Sequence, residues 1–377
     1  MQKNAVLIDV RSAEEFSSGH LQGAINIPHT EIAEKISGVA AEKNTPLYLY
    51  CRSGRRVGIA MEVLQKLGYT VMFNLGGYEE AKKFMEKQGK MKLRVLMIGN
   101  SFSICVGNNL PQIVRLSKKH HLELTSAYIG GCPLALHAEH LRTAKKDPKF
   151  APYRISYWNS DDLRHHAPRQ GNVLELLKNN TYDIVTIQQA SWGSWNFDTY
   201  YPHADEVIAC IKKYNPEAKI VIQQTWSYRN DSSNFANWGF GSDEMYARLK
   251  KAYAAFAEKT GFDVIPTGDA VQIWRQDSKC VYTALTSEEL SKYRSPDLPP
   301  MANDIVGKDF WKKDENGELV LAKDSVHLNF RGEYLQSCVW YGKLFGENPE
   351  TIVYEPQNIS RSECQFLRTC AKKALGF

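Results

Sequence analysis

Short apolar runs alternate along this chain with stretches whose apolar residues recur every three or four positions. Val6-Leu7-Ile8, Tyr48-Leu49-Tyr50 and Val71-Met72-Phe73 have the length and side-chain character of strands. Between them, Ser12-Ala13-Glu14-Glu15 has the spacing of a helix-starting capping box. Val57 to Leu67 shows helical periodicity and stops at Gly68. The pattern then repeats at larger scale. Strands are predicted at Val95–Ile98, Leu124–Tyr128, Ile184–Gln188, Ile220–Gln223 and Val264–Pro266. Helices are predicted over Asn172–Leu177, His203–Lys213 and Asp243–Lys259. Strands alternating with helices imply parallel sheets covered on both faces. From about Ser278 to Lys323 the periodicity is weak, and a long irregular excursion is expected there.

The polar stretch Glu86-Lys87-Gln88-Gly89-Lys90 separates the two series, and Met91 onward reads as the start of a second complete unit. Two domains are therefore expected, residues 1–88 and 92–377, in keeping with a length of 377 residues. Apolar content of 43% and charged content of 24% are those of a globular protein, and the net charge of +5 is scattered. That pattern argues against nucleic-acid partners. No run approaches the roughly 20 apolar residues of a membrane span. MQKNAVLIDVR has no apolar signal core, so a cytoplasmic protein is expected, or a periplasmic one if a leader has been removed. The eight cysteines form no C-x-x-C pair and no zinc-spaced cluster, and are expected as free thiols. His120, His121, His137, His140, His165 and His166 lack carboxylates or cysteines at ligand spacing, so no metal or other cofactor is expected.

Two places carry chemistry. In the first, a strand ends in Cys51-Arg52-Ser53-Gly54-Arg55-Arg56 and a helix follows. Converging backbone N–H groups at a helix start, with arginines beside them, favour a thiolate. A buried core cysteine would instead have apolar neighbours. Leu7-Ile8-Asp9-Val10-Arg11, Glu15-Phe16, Gly19-His20, Gly23 to Pro28, the Cys51 loop and Asn74-Leu75-Gly76-Gly77-Tyr78 follow in order. This arrangement resembles the rhodanese family in its short single-domain form. The resemblance implies that Cys51 carries a persulfide, taken from thiosulfate or another sulfane-sulfur donor and passed to a thiol. The six-residue loop matches the sulfurtransferase branch, whereas Val57 departs from the small polar residue of many relatives.

In the second place, Val95–Ile98 runs into Gly99-Asn100-Ser101, and Asp324-Ser325-Val326-His327 stands before a later helix. Alone, the serine is ordinary turn chemistry and the pair a surface Asp with a capping His. Asp and His three apart on one turn can also serve a serine as base and orienter. Ser101, Gly130-Gly131 and Asp324-x-x-His327 resemble, block by block, the SGNH (GDSL-like) hydrolases, and more closely a bacterial family within them. The resemblance implies a flavodoxin-like three-layer α/β/α fold with Ser101, Asp324 and His327 as catalytic residues. Ser101 and Gly130 or Gly131 would supply N–H groups to the oxyanion. Where the third block has asparagine, this chain has Gln188-Gln189, and either amide meets the requirement. Asn100, Gln223, Gln224, Trp192 and Trp226 are expected at the substrate, where amides and aromatic rings suit an acetylated sugar. The same rings equally suit a loop-anchoring core.

The combined reading is a bifunctional α/β enzyme acting on small molecules, with sulfur transfer in one half and ester hydrolysis in the other. Its rival keeps an active rhodanese and makes the larger domain a silent carbohydrate-binding or partner-recruiting module.

Overall fold

Leu47–Tyr50 shows why the N-terminal sheet forms, since all four residues are buried and alternate between two cores. Leu47 and Leu49 pack with Val57, Ala60 and Leu64 of the helix Arg55–Lys66. Tyr48 and Tyr50 pack with Leu7 and with Ala81 of the helix Tyr78–Gln88. A strand covered on both faces belongs in a parallel sheet. In this computed structural model, which describes residues 5–21, 23–88, 91–163, 167–280, 282–299 and 303–377, four strands make that sheet. They are Val6–Asp9 (β1), Ile25–Asn26 (β2), Leu47–Tyr50 (β3) and Met72–Asn74 (β4), parallel throughout and ordered β2-β1-β3-β4. The chain divides into two compact units, Met1–Met91 and Lys92–Phe377. Of the expected linker, Gly89 and Lys90 lie outside the described residues.

The C-terminal unit is built on seven strands: Lys92–Gly99 (β5), His121–Tyr128 (β6), Tyr153–Asn159 (β7), Arg169–Gly171 (β8), Ile184–Ile187 (β9), Lys219–Gln223 (β10) and Asp263–Ile265 (β11). Their order is β11-β10-β9-β5-β6-β7-β8. The five expected strands are parallel to one another, whereas β7 and β8 add antiparallel edges. The parallel part runs 2-1-3-4-5 in chain order, the flavodoxin-like arrangement. Its order reverses between β5 and β9, and ligands bind beyond the strand ends at such a switch point. Leu96 and Ile98 of β5 share one core with Leu134, Leu141, Val207 and Phe256. Val95 and Met97 are equally buried, so the opposite face is covered too. Each such aliphatic side chain contributes about 1.5–3 kcal/mol by leaving water.

The stretch expected as irregular contains a hairpin, Val306–Lys313 (β12) against Leu319–Leu328 (β13). Its alternating polar and part-buried residues hide the strand signal, because neither face is fully buried. Among the described residues no helix is long and apolar enough to cross a membrane.

Candidate functional site

The Cys51 loop follows from the end of β3. Gly54 has φ +85°, a left-handed conformation that turns the chain back so that the helix Arg55–Lys66 can start. The Gly54 N–H donates to Cys51 Sγ at 3.1 Å. Cys51 is 1% exposed. Burial works against the thiolate, but the backbone N–H groups of Ser53, Val57, Arg56 and Gly54 together outweigh it and hold the thiol below its ordinary range. Arg56 is fixed by two bonds to Glu15, of 2.5 and 2.9 Å. Its guanidinium draws the Glu15 carboxyl down to about 2. Arg52, Ser53 and Arg55 are exposed around the thiol. At the end of β1, Asp9, in register with Tyr50 just before the thiol, pairs with Arg11 at 2.6 Å, and both are buried.

At the switch point of the larger sheet, Asn100 follows β5 and caps the short helix Ser101–Ile104. Ser101 Oγ lies 2.8 Å from His327 Nε2, and His327 Nδ1 lies 2.9 Å from Asp324 Oδ2. Asp324 Oδ1 accepts from the N–H of Val326 and of His327. Burial penalises this carboxylate, but the His327 ring and those two N–H groups prevail and bring it down to about 2. The pair sits at the end of β13, just before the helix Phe330–Phe345, on a strand rather than on the single turn expected. Residues three apart on a regular strand face opposite ways. Here β13 is bulged: Val306 pairs with Leu328 and Lys308 with Asp324, so four steps of one strand face two of the other. The bulge turns Asp324 and His327 together. Gly307 on β12 makes room for it, with φ +92° and its missing Cβ only 2.7 Å from Asp324 O and from Arg229 Nη1.

Trp226, which was expected at the substrate, braces this array instead, together with Phe102 and Gln336, which the sequence did not single out. Trp226 Nε1 donates to Val326 O at 2.9 Å, and its ring stacks on Phe102 at 4.1 Å. Phe102 in turn lies 5.7 Å from the His327 ring. Gln336 Nε2 holds Phe102 O at 2.8 Å. The cavity over the triad measures about 410 Å³ and includes Arg154, Ser156, Trp158, Lys308 and Glu333 in its walls.

A family model for rhodanese-like domains matches residues 1–83, and one for a domain of unknown function, DUF4886, matches residues 94–286, half of the chain. The chain belongs to the DUF4886 family. A rhodanese-like domain stands at its N-terminus. That domain is similar to thiosulfate sulfurtransferase PspE of Escherichia coli, 44% identical over 19% of this chain and 70% of that protein. It is also similar to protein YqhL of Bacillus subtilis, 40% identical over 21% of this chain and 61% of the other. The chain thus spans about 60 to 70% of the length of these relatives. A solved DUF4886 protein from Bacteroides uniformis superposes with TM-score 0.60 at 22% identity, over 76% of this chain and 95% of that one. A proposed SGNH hydrolase from Slackia heliotrinireducens aligns with TM-score 0.41 at 20% identity, over 67% of this chain and 99% of the other.

In the DUF4886 domain the loop holding Gly130 and Gly131 is stitched beside Ser101. Ile129 N–H donates to Gly99 O, and Asn100 Nδ2 donates to Cys132 O. Several expected substrate contacts are instead internal struts. Asn100 is buried and uses its Oδ1 on Phe102 N–H and Gln188 Nε2. Gln188 lies under Asn100, outside the cavity wall. Gln189 spends its amide on Leu134 N–H, Ala190 N–H and Thr199. Gln223 accepts from Trp340 and donates to Thr267. Gln224 both accepts from and donates to Asp269. Buried amides need such partners, which is why these side chains turn inward. Trp226 is wholly buried, and Trp195, Trp238 and Phe240 pack on one another as a loop core. Trp192 alone remains open, 49% exposed, with Nε1 donating to Gly131 O.

Among the described residues no cluster of three or more His, Cys, Asp or Glu could hold a metal ion. His137 pairs with the Tyr153 hydroxyl at 2.8 Å, and His120 stacks on Phe345. His140 meets Tyr153 and Phe150 edge-on, and His121 pairs with Glu123 and Asp161. His165 and His166 lie outside the described residues.

Proposed function

We propose that this chain joins sulfane-sulfur transfer through Cys51 to ester hydrolysis through Ser101, His327 and Asp324. The observation that carries the hydrolase half is the unbroken line from Ser101 Oγ through the imidazole to Asp324, with both contacts under 3 Å. With the Nδ1 proton held by Asp324, Nε2 is the acceptor for the Ser101 proton. The serine oxygen attacks the ester carbonyl, and the imidazolium returns the proton to the departing alcohol. A water molecule then repeats the sequence on the acyl-enzyme and releases the acid. The Ser101 N–H and the N–H groups of the Gly130-Gly131 loop are the oxyanion donors, each worth about 3 kcal/mol in such sites. Gln188 acts through Asn100 as a positioning residue. Trp192, standing over Gly131, offers a platform to an acetylated sugar.

In the rhodanese-like half, the Cys51 thiolate attacks the outer sulfur of thiosulfate, the S–S bond breaks and sulfite leaves. An acceptor thiolate then takes the outer sulfur of the persulfide and restores the Cys51 thiolate. The depressed thiol and the arginines around it support this step.

An acetate-release screen over acetylated sugars, with wild type and Ser101→Ala side by side, tests the hydrolase half. Release by wild type and none by the variant is expected. Equal release by both would remove Ser101 from the chemistry.

A further inference from the structure

The wall of the Ser101 cleft carries a charge that the triad does not use. On β7, Arg154, Ser156 and Trp158 are two residues apart and therefore share one face, and all three line the cavity. Lys308 and Glu333 line the same cavity, together with Ser101, Asp324 and His327. Each carboxylate in the cleft has a local answer. Asp324 is turned to His327. Glu333 accepts from Asn108 Nδ2 at 2.9 Å, and Lys308 supplies the nearby positive charge. Arg154 is exposed, and among the described residues it makes no ion pair. Its guanidinium lies 4.6 Å from the centre of the Tyr128 ring. A cation–π contact of this kind holds the guanidinium in place without engaging its N–H donors in a hydrogen bond, and a guanidinium can receive a planar oxyanion in two parallel hydrogen bonds. A cleft of about 410 Å³ confines that partner to a small molecule.

We propose that the Ser101 cleft selects esters that carry an oxyanion, carboxylate or phosphate, away from the scissile bond, and that Arg154 receives it. This rests on the hydrolase reading for the chemistry, while the anion site itself does not depend on turnover. Three acetate esters of one frame test it with the full chain: 4-acetoxybenzoate, 4-acetoxyphenyl phosphate and the neutral methyl 4-acetoxybenzoate. Wild type is expected to favour at least one charged ester over the neutral one by about tenfold in kcat/KM, chiefly through KM. Whichever charged ester gains more identifies the oxyanion. In Arg154→Gln the ratio of charged to neutral should fall to about one, with Arg154→Lys keeping part of it. A ratio near one in wild type, or an undiminished ratio in Arg154→Gln, overturns the proposal. If no ester is turned over, the hydrolase reading fails and calorimetric titration of Ser101→Ala decides the anion site. Binding of 4-acetoxybenzoate or 4-acetoxyphenyl phosphate, absent for the methyl ester and lost on adding Arg154→Gln, sustains it. Equal binding of charged and neutral forms, or no binding of any, rejects it.

Discussion

Eight free cysteines share this chain, and Cys51 alone has its thiol drawn down. Burial pushes Cys280 and Cys364 up to about 11 and Cys132 and Cys370 to about 12, and it raises Cys105, Cys210 and Cys338 as well. Because the thiolate is the nucleophile, alkylation should mark Cys51 first, with a pH midpoint below 9. Peptide mass mapping after brief iodoacetamide treatment at pH 7.5 checks this. Thiosulfate should add one sulfur atom at the same residue, and a persulfide elsewhere would contradict the assignment. The local cues at Cys51 lay in consecutive residues and were legible. Those at the glutamines were not. A period-2 strand tells which residues share a face but not where the strand ends, and Gln188 stands one residue beyond β9. Its burial under Asn100 depends on β5, 88 positions away in sequence.

At the scale of elements, the five parallel strands were readable because β5, β9 and β10 are runs of largely buried apolar residues and β6 and β11 carry a few apolar residues over strand-length stretches. The ribbon β12–β13 was not, since water reaches much of both strands. The bulge that brings Asp324 and His327 to one side therefore went unseen, and the two were expected on one turn before a helix. An isolated glycine in a strand was the available signal. Gly307→Ala should test its importance. A Cβ there strains a left-handed residue and meets Asp324 O and the Arg229 guanidinium at 2.7 Å. A loss of about 2 kcal/mol in thermal unfolding and more than about tenfold in esterase kcat is expected. Unchanged kcat would show that the array does not depend on the bulge.

Across the whole molecule, each unit has its own sheet and its own core, in one case around Leu47 and Leu49, in the other around Leu96 and Ile98. Residues 92–377 expressed alone should therefore fold, with a single cooperative thermal transition, as domains with separate cores do. A molten product would show dependence on the N-terminal half. Within the larger unit, the order of the parallel strands fixes where chemistry can occur. Ser101 leaves β5 at the point where that order reverses, and the ribbon delivers His327 to it from 226 residues further on. The most direct measurement of that claim is intact-mass analysis after treatment with a fluorophosphonate, which phosphonylates activated serines. One adduct per chain is expected, mapped to Ser101, absent in Ser101→Ala and strongly slowed in His327→Ala. An adduct that persists in Ser101→Ala, or a folded wild type that takes none, would contradict it.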